Sequence, residues 1–270
     1  MAEHGTYLVG DRVFPYYRFG SGDVPLVVLP GISDALRPEG TSTVAGALLQ
    51  YGTFRAYRGY DVWVVGRPHD LPGDATTQSM ADDYAALLDR IGEAHVLGLS
   101  MGGLIAQHLA ADHPELIRRL VLGVAGAQVG PEGRETLDRW AAWGGKHRFR
   151  DVYLDAVEVS YTGYRRLLYP PIVRAASRLL REPAAPDDFV VSCAACRDHD
   201  GSEALSEIEA PTLVIGGSHD HFFPEATLRE TAAEIDGAKL ALLGGTGHAA
   251  YEERRGDWDA TVTAFLAEEL

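Results

Sequence analysis

Short apolar runs bounded by turn residues recur along the chain, and segments with helical spacing separate most of them. Runs of this length are typical of strands that are buried on both faces of a parallel sheet. They lie at residues 25–29, 62–65, 95–99, 120–124, 212–215 and 240–243. Strands that alternate with helices predict an α/β fold, with a mostly parallel sheet and helices on both faces.

Two segments have the spacing of amphipathic helices. One covers residues 79–91, with Ser79 and Asp82 as the predicted capping pair at its start. The other lies near the C-terminus, from residue 258 to residue 266. Residues 12–19 alternate less clearly between apolar and polar positions, and we expect them to form an antiparallel hairpin at the edge of the sheet.

The interval between Val124 and Thr212 breaks this alternation. It is far longer than an ordinary connection and contains no convincing strand. We therefore predict a helical insertion at residues 127–205, within a core formed by residues 1–126 and 206–270. Ligands of open α/β sheets bind at the carboxyl edge of the sheet, so this insertion is a candidate lid. The alternative is a stabilising appendage that is remote from any site.

Composition narrows the class of protein. Of the 270 residues, 46% are hydrophobic and 23% are charged, which is typical of a globular protein. Two cysteines are too few for a disulfide scaffold and favour a reducing compartment. Because no apolar run reaches the length of a membrane helix and no secretory signal is visible, we expect a soluble, cytoplasmic protein without a membrane partner.

The net charge of −15 is spread along the chain. Such an acidic surface repels phosphate groups and argues against nucleic-acid binding. Only Lys146 and Lys239 are lysines, and the other basic residues are arginines. Two explanations stay open, a GC-rich genome and a halophilic adaptation to high salt, which screens the repulsion between carboxylates.

The segment Gly98-Leu99-Ser100-Met101-Gly102 carries the most specific chemical signal. A strand leads directly into it, and a helix-like stretch, residues 103–111, follows. On so sharp a turn the serine backbone is strained and its hydroxyl is held clear of the sheet, while glycine on either side avoids a Cβ clash. The pattern predicts a nucleophilic serine. A structural serine in a glycine-rich turn is the alternative.

A nucleophilic serine needs a base, and the base needs an orienting acid. His248 lies in a glycine-rich loop after the last apolar run, and Asp220 follows the run at 212–215, so both belong to the same edge of the sheet as Ser100. We predict that His248 is the base and Asp220 the acid; a loop-stabilising histidine and a turn aspartate are the alternatives. His219 and His221 are interpreted as loop residues, and no metal site is predicted.

The tetrahedral intermediate of acyl transfer needs two backbone N–H donors for its oxyanion. One is predicted at Met101, directly after the serine. The other is predicted at Ile32, in the loop after residues 25–29, where Gly31 allows a close backbone approach. Residues 67–70 are expected to form a solvated loop, and a position on the wall of the pocket is the alternative. The pair Cys193 and Cys196 is expected to be half-buried, without a redox or zinc role.

The segment 98–103, Asp220 and the pair Gly247-His248, in this chain order, resemble the α/β-hydrolase superfamily. The resemblance extends from Leu26 to the final helix and is closest to the esterase, lactonase and cofactor-free perhydrolase branch with a helical lid. It implies an eight-stranded sheet and no cofactor. The family often has a His-Gly pair after its third strand, where this chain has Pro30-Gly31.

The resemblance also implies the role of each candidate residue. Ser100 is expected to be the nucleophile, His248 the base and Asp220 the acid, with Ile32 and Met101 as the oxyanion hole. A serine nucleophile argues against the dehalogenase and epoxide-hydrolase branches, whose members use aspartate.

The sequence therefore predicts a serine hydrolase that cleaves a carboxylic ester with a small to medium acyl group. The small-molecule substrate is its expected partner. An acyltransferase, thioesterase, lyase or C–C bond hydrolase on the same fold remains an alternative. A non-catalytic ligand-binding protein is a further alternative, although such a protein has no need of the complete serine, histidine and aspartate set. The oligomeric state stays open.

Overall fold

The computed structural model describes residues 2–38, 40–177 and 182–268, and within these residues eight strands form one sheet. The strands are β1 (Glu3–Val9), β2 (Arg12–Gly20), β3 (Pro25–Leu29), β4 (Asp61–Val65), β5 (Ala94–Leu99), β6 (Ile117–Gly123), β7 (Thr212–Gly217) and β8 (Lys239–Leu243). Their order is β1-β2-β4-β3-β5-β6-β7-β8. The pairs β1–β2 and β2–β4 are antiparallel and the remaining pairs are parallel, which confirms the predicted fold and its edge hairpin.

Helices cover both faces of this sheet. They are α1 (Thr43–Leu48), α2 (Thr77–Ile91), α3 (Met101–Asp112), α4 (Pro131–Gly144), α5 (Phe149–Ser160), α6 (Gly163–Ala176), α7 (Pro186–Arg197), α8 (Ser202–Leu205), α9 (Glu225–Glu234), α10 (Ala250–Glu253) and α11 (Arg255–Leu266). Helices α4 to α8 lie between β6 and β7, an interval whose described residues contain no strand. None of the described helices is both long and apolar enough to cross a membrane.

Alternation along the central strands builds two apolar layers. In β3, Val27 and Leu29 belong to the layer that α2 and α3 cover, whereas Leu26 and Val28 belong to the layer that α11 covers. Successive side chains of a strand point to opposite faces, so one short apolar run contributes to both layers. This explains why the central strands are continuously apolar and why the sequence shows them clearly.

Most predicted elements differ from the observed ones by one to three residues at an end, and two of these differences have a clear physical reason. Strand β6 begins at Ile117 rather than at residue 120. Arg119 interrupts the apolar pattern there, but it is buried, with Nη2 donating to the Glu268 carbonyl at 2.8 Å. Helix α2 begins at Thr77 because Thr76 is its N-cap; Ser79, predicted as the cap, is instead the third residue of a reciprocal capping box with Thr76.

Candidate active site

Ser100 occupies a strained turn between β5 and α3. Its backbone has φ 53° and ψ −120°, in the left-handed region that L-residues rarely adopt. A Cβ on Gly98 would lie 2.5 Å from the Gly102 carbonyl oxygen, and a Cβ on Gly102 would lie 2.0 Å from the Leu29 carbonyl oxygen. Glycine at both positions therefore lets the turn close tightly against β3.

The structure brings Ser100, His248 and Asp220 together in one row of hydrogen bonds. His248 Nε2 lies 2.9 Å from Ser100 Oγ, and His248 Nδ1 lies 3.0 and 2.9 Å from the two carboxylate oxygens of Asp220. An ionised carboxylate only accepts hydrogen bonds, so Nδ1 carries the proton and Nε2 is left to accept one from the hydroxyl. The Asp220 side chain is fully buried, and its Oδ1 also accepts the backbone N–H groups of Phe222 and Phe223.

The loop that carries His248 is held by Glu253 of α10. The backbone N–H of Gly247 donates to Glu253 Oε2 at 2.7 Å. Glu253 Oε1 accepts from both the backbone N–H and the hydroxyl of Thr162, at 2.7 and 2.8 Å. The N–H of Ala249 donates to the Ser160 carbonyl at 2.9 Å. The histidine loop is thereby attached to the turn between α5 and α6, a contact that no sequence pattern indicated.

The backbone amides of Met101 and Ile32 lie beside Ser100. Met101 is the first residue of α3, and Ile32 is the first residue of a 3-10 helix, Ile32–Leu36. Within the described part of the chain neither amide has a hydrogen-bond acceptor. A Cβ on Gly31 would lie 3.3 Å from Ser100 Cβ, so the loop of Ile32 contacts the serine. Two segments that meet at Ser100 thus each begin with a backbone N–H that is unpaired among the described residues.

Arg67 holds the loop of Ile32 from behind, and the prediction of a solvated loop at this residue is wrong, because it is only 3% exposed. Its Nη1 donates to the Pro30 carbonyl and its Nη2 to the Gly31 carbonyl, each at 3.1 Å, and its own backbone N–H donates to Asp34 Oδ2 at 2.8 Å. In a planar trans peptide the C=O and N–H groups point in opposite directions. Arg67 therefore directs the N–H of Ile32 away from itself.

A cavity of about 330 Å³ opens at Ser100, and both Ile32 and Met101 line it. Its walls are mainly apolar, and the helices between β6 and β7 contribute Leu137, Trp140, Val152, Ala156 and Cys196. Cys193 and Cys196 are buried rather than half-buried. Burial raises the pKa of the Cys196 thiol to about 12, so this side chain forms part of an apolar wall and stays protonated.

The histidines beside Asp220 take no part in the hydrogen-bonded row. His221 Nε2 lies 2.9 Å from Thr136 Oγ1, and His219 Nδ1 lies 3.0 Å from Ser218 Oγ. Across the described ranges, no group of three or more histidine, cysteine, aspartate or glutamate side chains is arranged to hold a metal ion. Chemically, the row can pass a proton from a hydroxyl to an imidazole while two backbone amides receive a developing negative charge.

Comparison with known proteins places this chain among hydrolases. The model of the Alpha/beta hydrolase family matches residues 26–262. The 2-hydroxymuconate semialdehyde hydrolase of Pseudomonas sp. (strain CF600) is 32% identical over 211 residues, which cover 74% of this chain and 72% of that protein. The polyketide synthase ThaQ of Burkholderia thailandensis is 30% identical over 186 residues, 66% of this chain but only 9% of that protein.

A solved structure shows the same likeness. The enol-lactonase from Burkholderia xenovorans LB400 superimposes with a TM-score of 0.79 and 26% sequence identity, covering 98% of this chain and 100% of the other.

Proposed function

The chain belongs to the alpha/beta hydrolase family, and on that basis we propose that it is a serine hydrolase that cleaves a carboxylic ester through an acyl-enzyme. One observation carries the proposal, the row from Asp220 through His248 to Ser100 beside two backbone amides that have no partner in the described ranges. Each part of this arrangement has a task in acyl transfer and none is needed for ligand binding alone. The substrate is a small molecule of the size of the cavity.

The proposed mechanism has two steps. Ser100 Oγ attacks the ester carbonyl carbon while His248 Nε2 takes the hydroxyl proton, and the N–H groups of Ile32 and Met101 bind the oxyanion. Asp220 stabilises the imidazolium. The tetrahedral intermediate then breaks its bond to the alcohol oxygen, which takes the proton from His248. In the second step a water molecule gives a proton to His248 and its oxygen bonds to the acyl carbon. The bond from this carbon to Ser100 Oγ then breaks, Oγ takes the proton back from His248, and the acid is released.

We further propose that residues 127–205 form a lid on a core of residues 1–126 and 206–270. Three contacts support this function. Helices of the insertion supply a large share of the cavity wall. The Tyr153 hydroxyl of α5 donates to the Leu36 carbonyl at 3.1 Å. In addition, Asp188 of α7 accepts the backbone N–H groups of Asp70 and Leu71. These contacts favour a lid over a remote appendage.

A second candidate is C–C bond hydrolysis by the same three side chains. The observation that favours it is the similarity to a protein named 2-hydroxymuconate semialdehyde hydrolase. The two candidates share the acyl-enzyme and differ in the leaving group, which is an alcohol in one case and a carbanion in the other. Identification of both products of turnover separates them.

Intact mass measured after incubation with a small fluorophosphonate tests the proposal, because this reagent modifies only an activated serine. We expect one addition, located in the peptide that contains Ser100, and none in Ser100→Ala. We also expect Ser100→Ala to hydrolyse esters at less than about one thousandth of the wild-type rate while its circular dichroism is unchanged. No addition to the folded wild-type protein, or addition at another serine, would contradict the proposal.

A further inference from the structure

We infer that the cavity beside Ser100 selects uncharged esters, and that Glu252 excludes substrates which carry a carboxylate. This inference rests on the proposed function and adds the class of its substrate. Two independent features of the cavity support it. One is the apolar character of its walls, and the other is the position of one acidic side chain, Glu252, on them.

Away from the two backbone amides beside Ser100, the described walls offer no cationic side chain of lysine or arginine that would pair with a carboxylate. Among the described residues that line the cavity there is no lysine and no arginine, and most of the lining is aliphatic or aromatic. Arg67, the buried cation that contacts the oxyanion loop, is already occupied by two carbonyl groups and Asp34. A carboxylate that enters this cavity loses its hydration and gains no ionic partner, so its binding is strongly unfavourable.

Glu252 adds a negative charge of its own. It lines the cavity in α10, and its Oε2 accepts the Tyr161 hydroxyl at 2.6 Å. Its Oε1 has no hydrogen-bond donor, and no cationic group lies within 4.0 Å of either oxygen, among the residues described. Burial and the bond to Glu252 raise the pKa of the Tyr161 phenol, which therefore stays an uncharged donor. Glu252 is therefore a half-buried carboxylate on the cavity wall that no cation of the described residues pairs with.

The neighbouring carboxylate shows the contrast. Glu253 accepts three hydrogen bonds from Gly247 and Thr162, so its oxygens are engaged in holding the histidine loop. Within the described part of the chain Glu252 accepts only one, and it lines the cavity. Two adjacent acidic residues therefore have different tasks. One supports the loop of the base, and the other gives the substrate cavity a negative potential.

The surface of the whole protein also repels anions, since the net charge is −15. That long-range repulsion is screened by salt, whereas repulsion inside a cavity from which water is excluded is screened much less. Salt dependence thus separates the two contributions. Selectivity that comes from the cavity persists at high ionic strength.

The experiment compares two phenyl esters with the same leaving group. One is the monophenyl ester of adipic acid, an anion, and the other is its uncharged methyl-ketone analogue, in which a methyl group replaces one carboxylate oxygen. Release of phenol gives kcat/KM for each at about 0.02 M and about 0.5 M salt. We expect the uncharged ester to be preferred by about 100-fold or more, with most of this preference retained at the higher salt concentration.

Two variants locate the effect. Glu252→Gln should reduce the preference by about tenfold at high salt, because it removes the charge and keeps the size of the side chain. Glu209→Gln removes one charge from an exposed position outside the cavity and should leave the preference unchanged at high salt. Should Glu252→Gln fail to fold, the salt series on the wild-type protein still decides.

A preference below about threefold at high salt, or an equal preference in Glu252→Gln and wild type, would overturn the inference while leaving the proposed function intact. Hydrolysis of neither ester by a protein that the fluorophosphonate also leaves unmodified would overturn the proposed function, and this inference with it. The two failures are therefore distinguishable.

Discussion

Replacing Arg67 tests whether the orientation of one peptide group supports catalysis. Arg67→Met keeps the apolar stem of the side chain and removes both hydrogen bonds to the carbonyl groups of Pro30 and Gly31. The Ile32 amide remains in the chain, but Arg67 no longer fixes the orientation of the peptide group that carries it. Arg67 is thus a positioning residue, which acts on the reaction through Ile32.

The magnitude follows from the contacts that remain. Complete loss of one oxyanion donor costs about 100- to 1000-fold in kcat. Here the donor is retained, and the N–H of Asp34 still bonds the Gly31 carbonyl at 3.1 Å. We therefore expect a decrease in kcat of about 10- to 100-fold, or about 1.4 to 2.7 kcal/mol. The free energy of unfolding should fall by about 3 kcal/mol, because the buried Asp34 loses one of its two cations and keeps only Arg37.

The assay separates this role from a general loss of stability. In Arg67→Met, kcat and the affinity for a trifluoromethyl ketone, whose adduct carries an oxyanion, should decrease in parallel, with KM within about threefold of wild type. Arg67→Lys should recover part of the loss, since an ammonium does not reach both carbonyls as a guanidinium does. Arg12→Met, which breaks an ion pair with Asp83 away from the site, is the control. Unchanged kcat in folded Arg67→Met, or a change in KM alone, would refute the reasoning.

Three further outcomes are expected. Gly98→Ala should lower the free energy of unfolding by about 1 to 3 kcal/mol and reduce turnover, because the new Cβ meets the Gly102 carbonyl. Gly73→Ala, with open space around the new Cβ, should change neither quantity. Urea titrations measure the free energy of unfolding, and initial rates measure turnover. Burial lowers the pKa of His199 to about 3. Between this pH and about 6.5, the imidazole is therefore protonated in the unfolded chain and neutral in the folded protein. The free energy of unfolding should then decrease as the pH falls from about 6.5 towards about 3, by about 1.4 kcal/mol per pH unit for this group, and urea titrations of His199→Gln should show a shallower slope. Glu253→Gln weakens the support of the histidine loop, and the rate of fluorophosphonate labelling should fall about tenfold in parallel with kcat; labelling at the wild-type rate would mean that the loop keeps its position without this charge.

The centre of the sheet could be predicted because its strands are buried on both faces, which makes them continuously apolar. Strand β3 has the same bounds as its apolar run, 25–29. The strand at the edge of the sheet was less clear in the sequence. The residues of β1 are exposed or half-buried, and the strand is held mainly by its pairing with β2. The predicted strand β6 was too short, because the sequence does not show whether an arginine such as Arg119 is buried or solvated.

The candidate site, like the sheet, could be predicted in part. The positions of Ser100, Asp220 and His248 follow from a rule of topology, which brings the carboxyl ends of parallel strands to one edge. No such rule predicts the roles of Arg67, Glu252 and Glu253. Charged residues in loops are mostly exposed, and only the three-dimensional contacts distinguish the few that are not. Glu252 and Glu253 are adjacent and identical in type, so the difference between them exists only in the folded protein.

The attachment of the histidine loop to the turn at Ser160 and Thr162 has a consequence for exchanging parts between relatives. Substrate range in such a fold is most simply altered by transplanting the segment between β6 and β7 from another protein. In this chain, that segment carries two of the groups that hold the loop of the base in place. If the donor segment of a chimaera lacks a hydroxyl at position 162 or a carbonyl in the position of residue 160, the chimaera will have a changed pocket. It will also have a less firmly held loop around His248. The useful graft boundaries therefore lie within the insertion, on either side of residues 160–162, rather than at its ends.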